Sequence, residues 1–448
     1  MPAIITDTFK KEVIQDLFND ALDSSEANYY IAIGRSEDWD SADNPITPLR
    51  TKRDERNFRL GLQSVKSTAI VSFVVPRYNW VAGTIYSGYD DNSVGIPSNS
   101  YYVLTDNNSV YICLQQGRNA TGAAVPSVNK PTSSLTTPFT LADGYTWKFL
   151  YSISGLKSRQ FLTANYNPIQ LQSVTDSAST AIEIEQYGVQ QAAVAGSVSS
   201  VKLISGGSGY TTAPTVTIVG NGTDAKAVAT ISGGSVVKID IKDSSGTFAM
   251  GSGYDYAGIT ITGDGSGASA RAVISPANGF GSDPRVDLKA TAIMYNASLS
   301  GAEGGNFITG QDFRQVALMK GLKKSNSDSD FTASTGLALS KLVLSSVSSA
   351  FSADNTILGT TSGAKALVDK YDNTNEIIYY HQSEETGFLQ FVNGEVISET
   401  DGGGSGIIDS ASSGDINIWS GDIHYIENRA AVERDPASTE DVKIVIQL

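Results

Sequence analysis

One stretch of the chain occurs twice. Gly207-Ser208-Gly209-Tyr210 returns as Gly251-Ser252-Gly253-Tyr254, and Val216 and Ile218 return as Ile259 and Ile261. Gly220, Gly222, Ala225, Ala227 and Ala229 return as Gly263, Gly265, Ala268, Ala270 and Ala272, the offset being 44 residues and then 43. Short alternating strands between glycine turns, present in two copies, predict a β-module over 196–277 whose halves cover each other and share a core. Alanine at every second position predicts a face where sheets approach closely.

Around that module, 448 residues leave room for roughly three domains at about 150 residues each. With 40% apolar and 18% charged residues, and 43 Gly against 13 Pro, the composition is that of a folded, turn-dense β protein rather than a disordered tail. The expected class is α+β, mainly β: a mixed first domain carrying inserted all-β modules, one of them the tandem duplication. Phe9, Val13, Leu17 and Ala21, widened by Ile14, Phe18 and Leu22, predict an amphipathic helix over Thr8 to Leu22. Tyr29 to Ile33 reads as a strand, Phe58 to Val65 as a short helix, and Ala69 to Val75 as a strand stopped by Pro76. Phe331 to Asn417 is Ser/Gly-rich, with strands expected at Glu376 to Tyr380 and Phe388 to Val392. The tail from Trp419 ends in a strand around Lys443 to Ile446 and is expected to return to the first domain. The expected domains are thus a discontinuous core of 1–195, 278–330 and 418–448, with 196–277 and 331–417 inserted into it.

Charge limits the partners. The 32 basic residues minus 47 acidic ones leave −15, which opposes binding to phosphate backbones and anionic lipid, so neither nucleic acid nor membrane is an expected partner. No stretch approaches the ~20 apolar residues of a spanning helix, and no cationic segment precedes an apolar block at the N-terminus, so a soluble chain outside the Sec route is expected. Cys113, the single cysteine, sits in the alternating run Val110 to Leu114 and reads as a buried strand thiol rather than a nucleophile.

Catalytic patterns are weak. His381 and His424 are the two histidines; no G-x-S-x-G elbow accompanies either, and neither has a second His or Cys at metal-ligand spacing. His381, at a strand end, reads as a surface or rim histidine. Gly265 to Ala270 matches G-x-G-x-x-A, which binds phosphate only when a helix follows; here the alternation Ala270-Arg271-Ala272-Val273-Ile274 predicts a strand. Asp90-Asp91-Asn92 and Asp106-Asn107-Asn108 lack the spaced ligands of a calcium loop and read as turns. A carboxylate pair for glycoside hydrolysis stays open among 47 acidic residues. No catalytic, cofactor or metal site is assigned, and the chain is not expected to be an enzyme.

Four segments carry more information. Ile31 to Trp39 and Val74 to Trp80 are strands whose exits each bear an Arg and a Trp; Asp143 to Tyr151 is a turn and an aromatic strand; Gly421 to Arg429 precedes the last strand. In this order, with Phe313-Arg314-Gln315 as a weaker fifth match, they resemble the baseplate wedge subunit of T-even-type contractile-tailed phages (myoviruses), in a cyanophage-like variant with β insertions. The resemblance covers about residues 5–170, 305–320 and 419–448, and the duplicated module and much of 331–417 have no counterpart. It implies a structural protein of the virion tail baseplate, made in the host cytoplasm, without cofactor, that forms a homodimer and contacts other wedge subunits. The residues singled out are Arg35, Trp39, Arg77, Trp80, Trp147, Tyr425, Glu427 and Arg429. They either form interfaces or close the core of the first domain, with arginine paired to Glu37 or Glu427. An alternative is a host-surface glycan-binding or polysaccharide-degrading tail component, with Tyr210, Tyr254 and Tyr256 stacked on sugar rings.

Overall fold

A computed structural model describes residues 6–23, 28–39, 47–49, 51–68, 70–93, 95 and 99–448. The protein is α+β and mainly β, and it divides into two compact units. One holds the chain up to Asp16, Ser72–Met294 and Ile446–Leu448; the other holds Leu17–Val71 and Tyr295–Val445. The residues expected in a single discontinuous core domain therefore fall in both. The reason is strand pairing, which composition does not reveal: Tyr29–Gly34 pairs with Leu62–Ser67 on one side and with Asp312–Lys320 on the other.

In the first unit a four-stranded antiparallel sheet runs in the order Tyr102–Leu104, Ser109–Gln115, Thr146–Ser152, Phe139–Thr140. Strand alternation sends Tyr145, Trp147 and Phe149 to one face, where they meet Val103, Tyr111 and Cys113. Cys113 is fully buried, as its strand position predicted, and burial pushes its thiol pKa well up. The helix Ala181–Gln191 begins at a Thr180/Glu183 capping box and contributes Val189 to the same core.

The duplicated module is built on a six-stranded antiparallel sheet, in the order Ser235–Ile241, Ala227–Ser232, Thr215–Gly220, Ala257–Thr262, Ser266–Ile274, Val198–Ser208, with Thr223–Ala225 and Met250–Ser252 as a separate pair. Equivalent strands of the two copies pair at its centre, with Val216 opposite Ile261 and Ile218 opposite Ile259, so the repeat closes on a local twofold. The tyrosines obey the same symmetry. Tyr210 of the first copy packs over Gly265 of the second, and Tyr254 of the second packs over Gly222 of the first. Turn contacts repeat as well: Thr211 N donates to Asp264 (3.0 Å), and at the equivalent place Asp255 N donates to Asn221 (2.9 Å). The alternating alanines lie in the two small cores beneath these rings, and each core draws on both copies. The two ends of the module meet where Ser275 N donates to Ser197 O (2.8 Å). The phosphate-like Gly265 to Ala270 run leads into the strand Ser266–Ile274, without the helix a pyrophosphate needs.

In the second unit a five-stranded antiparallel sheet runs Thr335–Leu337, Leu62–Ser67, Tyr29–Gly34, Asp312–Lys320, Asp422–Glu433. The short helix expected at Phe58 to Val65 is instead Lys52–Leu60, because Thr51 and Asp54 form a capping box seven residues before Phe58 and Gly61 ends the turn; Leu62–Ser67 is then free to be a strand. Phe58 packs under the sheet with Tyr30, Val65, Met319 and Ile426.

The second insertion is a closed six-stranded barrel, ordered Ser340–Ser349, Ile377–His381, Lys365–Asp372, Thr356–Gly359, Val396–Glu399, Ser405–Ser412. Closure removes every free edge, so a small barrel can stand as an insert. It is narrower than the predicted 331–417, since Phe331, Ala338 and Ile416 pack in the core of the five-stranded sheet. Phe388 to Val392 is not a strand: Phe391 turns into the barrel core while Phe388 and Leu389 stay exposed.

Candidate functional site

Three segments that carry the resemblance are neighbours in the five-stranded sheet. Ile31 to Gly34 pairs with Gln315 to Leu318, and the same strand, from Phe313 to Leu318, pairs on its other side with Tyr425 to Val432. At the exit of the first strand Arg35 adopts a left-handed backbone (φ 62°), held by its N donating to Gly61 O (2.7 Å) and its O accepting from Arg314 N (3.0 Å). This turn lays the Arg35 guanidinium 4.1 Å above the Trp39 ring, and the Trp39 indole Nε1 donates to Arg429 O (2.8 Å). Tyr425 donates its hydroxyl to Glu427 (3.0 Å), and Glu427 and Arg429 stand exposed on the strand Asp422–Glu433. Arg35, Trp39, Tyr425, Glu427 and Arg429 thus share one end and one edge strand of a sheet.

Arg77, Trp80 and Trp147 belong to the other unit. Arg77 donates to Asn79 Oδ1 (2.9 Å) and Thr163 O (2.8 Å), and Trp80 donates to Ser127 Oγ (3.2 Å), so both fasten loops. Trp147 has no exposed surface and stacks on Tyr145 at 5.8 Å; of the two roles open to it, interface or core, it takes the core one. An aromatic in an alternating strand goes to the face that excludes most water.

The expected arginine pairs are also different. Glu37 is bound by His381, whose Nε2 lies 3.0 Å away, and His381 Nδ1 lies 2.7 Å from Asp369. Asp369 accepts from Ser36 Oγ (2.9 Å) and is itself fully buried. Arg314 pairs with Asp312 (3.1 Å) and with Asp38, and donates to Ser36 O. His381 is therefore buried rather than a rim residue. The cluster is not a hydrolase triad, because Ser36 donates to the aspartate and the far nitrogen of the imidazole is occupied by Glu37. Ser36, Glu37 and Arg314 lie within the motif segments, whereas Asp369 and His381 come from the barrel, where no local pattern joins them to those segments.

The glycan-platform residues are separated by burial: Tyr210 and Tyr254 are each 4% exposed, inside the module, whereas Tyr256 is 65% exposed. Asp90 and Asp91 form the expected turn, with Asn92 N donating to Asp90 (3.0 Å), and also hold the module: Asp90 pairs with Lys202 and Arg271, and Asp91 with Arg271 (2.7 Å). His424 is exposed, its ring 5.5 Å from Tyr29. Among the described residues no group of three His, Cys, Asp or Glu side chains is placed to hold a metal ion, and no helix is long and apolar enough to cross a membrane. No protein-family model matches the chain, and no curated protein matches it in sequence.

Proposed function

We propose that the protein is a structural subunit of a phage tail baseplate wedge, a homodimer that joins other wedge subunits through protein–protein contacts and catalyses no reaction. The observation that carries this reading is that two of the four motif segments, Ile31 to Trp39 and Gly421 to Arg429, flank the weaker Phe313-Arg314-Gln315 match on adjacent strands of one sheet, though they lie far apart in the chain. The surface they build suits an assembly role: a guanidinium on an indole, and a twelve-residue edge strand bearing Tyr425, Glu427 and Arg429. Permanent interfaces are anchored by a few aromatic and arginine residues within ~2,000 Å² or more of buried area.

The glycan reading loses two of its three tyrosines to the module core. A density map of the phage tail tests the proposal: the chain is expected in the baseplate, in adjacent pairs, with the sheet end at Trp39 and Arg429 against a neighbour. Its absence from the baseplate overturns the assignment. Light scattering of the purified chain is expected at twice 47.3 kDa, and a monomer removes the dimer.

A further inference from the structure

A buried lysine faces a cavity of about 530 Å³ in the first unit, within the size range of small-molecule sites. Lys148 lies on the strand Thr146–Ser152, on the opposite face from Trp147, and is 3% exposed. Its ammonium donates to Thr136 O at 2.5 Å. Gly281 makes room for the side chain: a Cβ there would come within 2.9 Å of Lys148 Cε. Pro138, Val194, Phe248, Met250 and Phe280 supply the apolar part of the walls, beside the hydroxyl residues Thr136, Thr137, Thr140, Ser197 and Thr247.

The charge of Lys148 has no counter-charge within ion-pair distance among the described residues. The charge of Asp287 acts on Lys148 from beyond that distance; Asp287 is fully buried and binds Gly281 N through Oδ2 (2.7 Å), while Oδ1 has no hydrogen-bond partner among the described residues. Burial pushes the Asp287 carboxyl pKa up to about 8 despite the Gly281 N–H, disfavouring its charged form. Burial also lowers Lys148 to about 8, so at pH 7 the ammonium form still dominates. A buried cation satisfied by one carbonyl is costly unless an anion joins it.

We propose that this cavity binds a small monocarboxylate with an apolar body, its carboxylate on Lys148 and its hydrocarbon against Phe248, Met250 and Phe280. The carboxylate supplies the missing counter-charge and accepts the two remaining ammonium protons; the apolar walls select the body. This site is separate from the assembly surface and does not depend on the baseplate reading.

Isothermal titration of the full chain with sodium decanoate at pH 7 tests the site, with decan-1-ol as the uncharged control. Saturable binding of one decanoate per chain is expected, at least tenfold tighter than decanol, and weakening as pH rises above about 8, where Lys148 loses its proton. Lys148→Met keeps the shape, removes the charge and is expected to weaken decanoate tenfold or more while leaving decanol unchanged. Val194→Trp, at an exposed position on the cavity wall, is expected to block both. No saturable decanoate binding, equal affinity for the alcohol, or undiminished binding by Lys148→Met each overturns the proposal.

Discussion

His381 Nε2 stands 3.0 Å from Glu37 Oε1, so one imidazole joins the barrel to the loop that leaves the strand Tyr29–Gly34. Its other nitrogen is held by the buried Asp369, which also takes the Ser36 hydroxyl. His381→Ala strands Asp369 without its cation. The expected cost is about 3–5 kcal/mol, the range for removing one partner of a buried pair, read by chemical denaturation.

The same cluster sets a pH dependence. Burial alone lowers the His381 pKa, but the Asp369 carboxylate and then Glu37 outweigh it and raise the group to about 10. Burial raises Glu37, and the bond to His381 and its charge outweigh that, bringing it to about 2. The histidine's contribution is complete below its unfolded value of 6.5 and is lost as pH rises through about 10. The glutamate's is complete above 4.5 and is lost as pH falls through about 2. The cluster's contribution is expected to be largest from pH 4.5 to 6.5, read as the difference in melting temperature between the wild type and His381→Ala, which is expected to shrink between pH 6.5 and 10.

In the module, the local twofold predicts paired effects. A Cβ at Gly222 would lie 2.4 Å from the Tyr254 ring, and one at Gly265 would lie 2.6 Å from Tyr210. Backbone oxygens of the equivalent Ser252 and Ser208 crowd the two positions at 2.5 and 2.6 Å. Gly222→Ala and Gly265→Ala should each cost about 1–3 kcal/mol by overpacking, with similar values for the two. Urea denaturation of both variants checks the symmetry.

Asp90 docks the module on the turn before it. Burial raises its carboxyl pKa, but Lys202 and Arg271 outweigh that and hold it far below the usual range. Its contribution is present above the unfolded value of 3.8 and disappears with further acidification. Asp90→Asn is expected to speed hydrogen exchange in Val198–Ser208 and Ser266–Ile274 at neutral pH, while exchange in Ser340–Ser349 of the barrel stays unchanged.

Two tryptophans separate assembly from folding. Trp39→Ala removes the Arg35 stacking and the bond to Arg429 O, at about 1–2 kcal/mol of stability, and is expected to abolish dimerisation by light scattering. Trp147→Ala empties a fully buried site and is expected to cost about 3–5 kcal/mol in denaturation, while chains that still fold dimerise normally. Dimerisation unaffected by Trp39→Ala would exclude that sheet end from the interface.

Features that depend on local pattern were legible in the order of the amino acids. The duplication predicted a β-module, and its symmetric glycines and tyrosines are where the two copies close on each other. Alternation put Cys113 in a buried strand, and the apolar period predicted the N-terminal helix, Asp7–Leu22. The helix before Leu62 was misplaced because its start is fixed by the polar pair Thr51 and Asp54, which an apolar period does not register. Tertiary structure alone decided which segments became neighbours. Residues 28–68 pair with strands beyond residue 310 rather than with 72–195, since backbone hydrogen bonding in a sheet is indifferent to chain distance. For the same reason Asp369 and His381, unremarkable in a Ser/Gly-rich insertion, came to hold Glu37 and Ser36: burying a charged loop requires a counter-charge, and only the folded chain determines which residue supplies it.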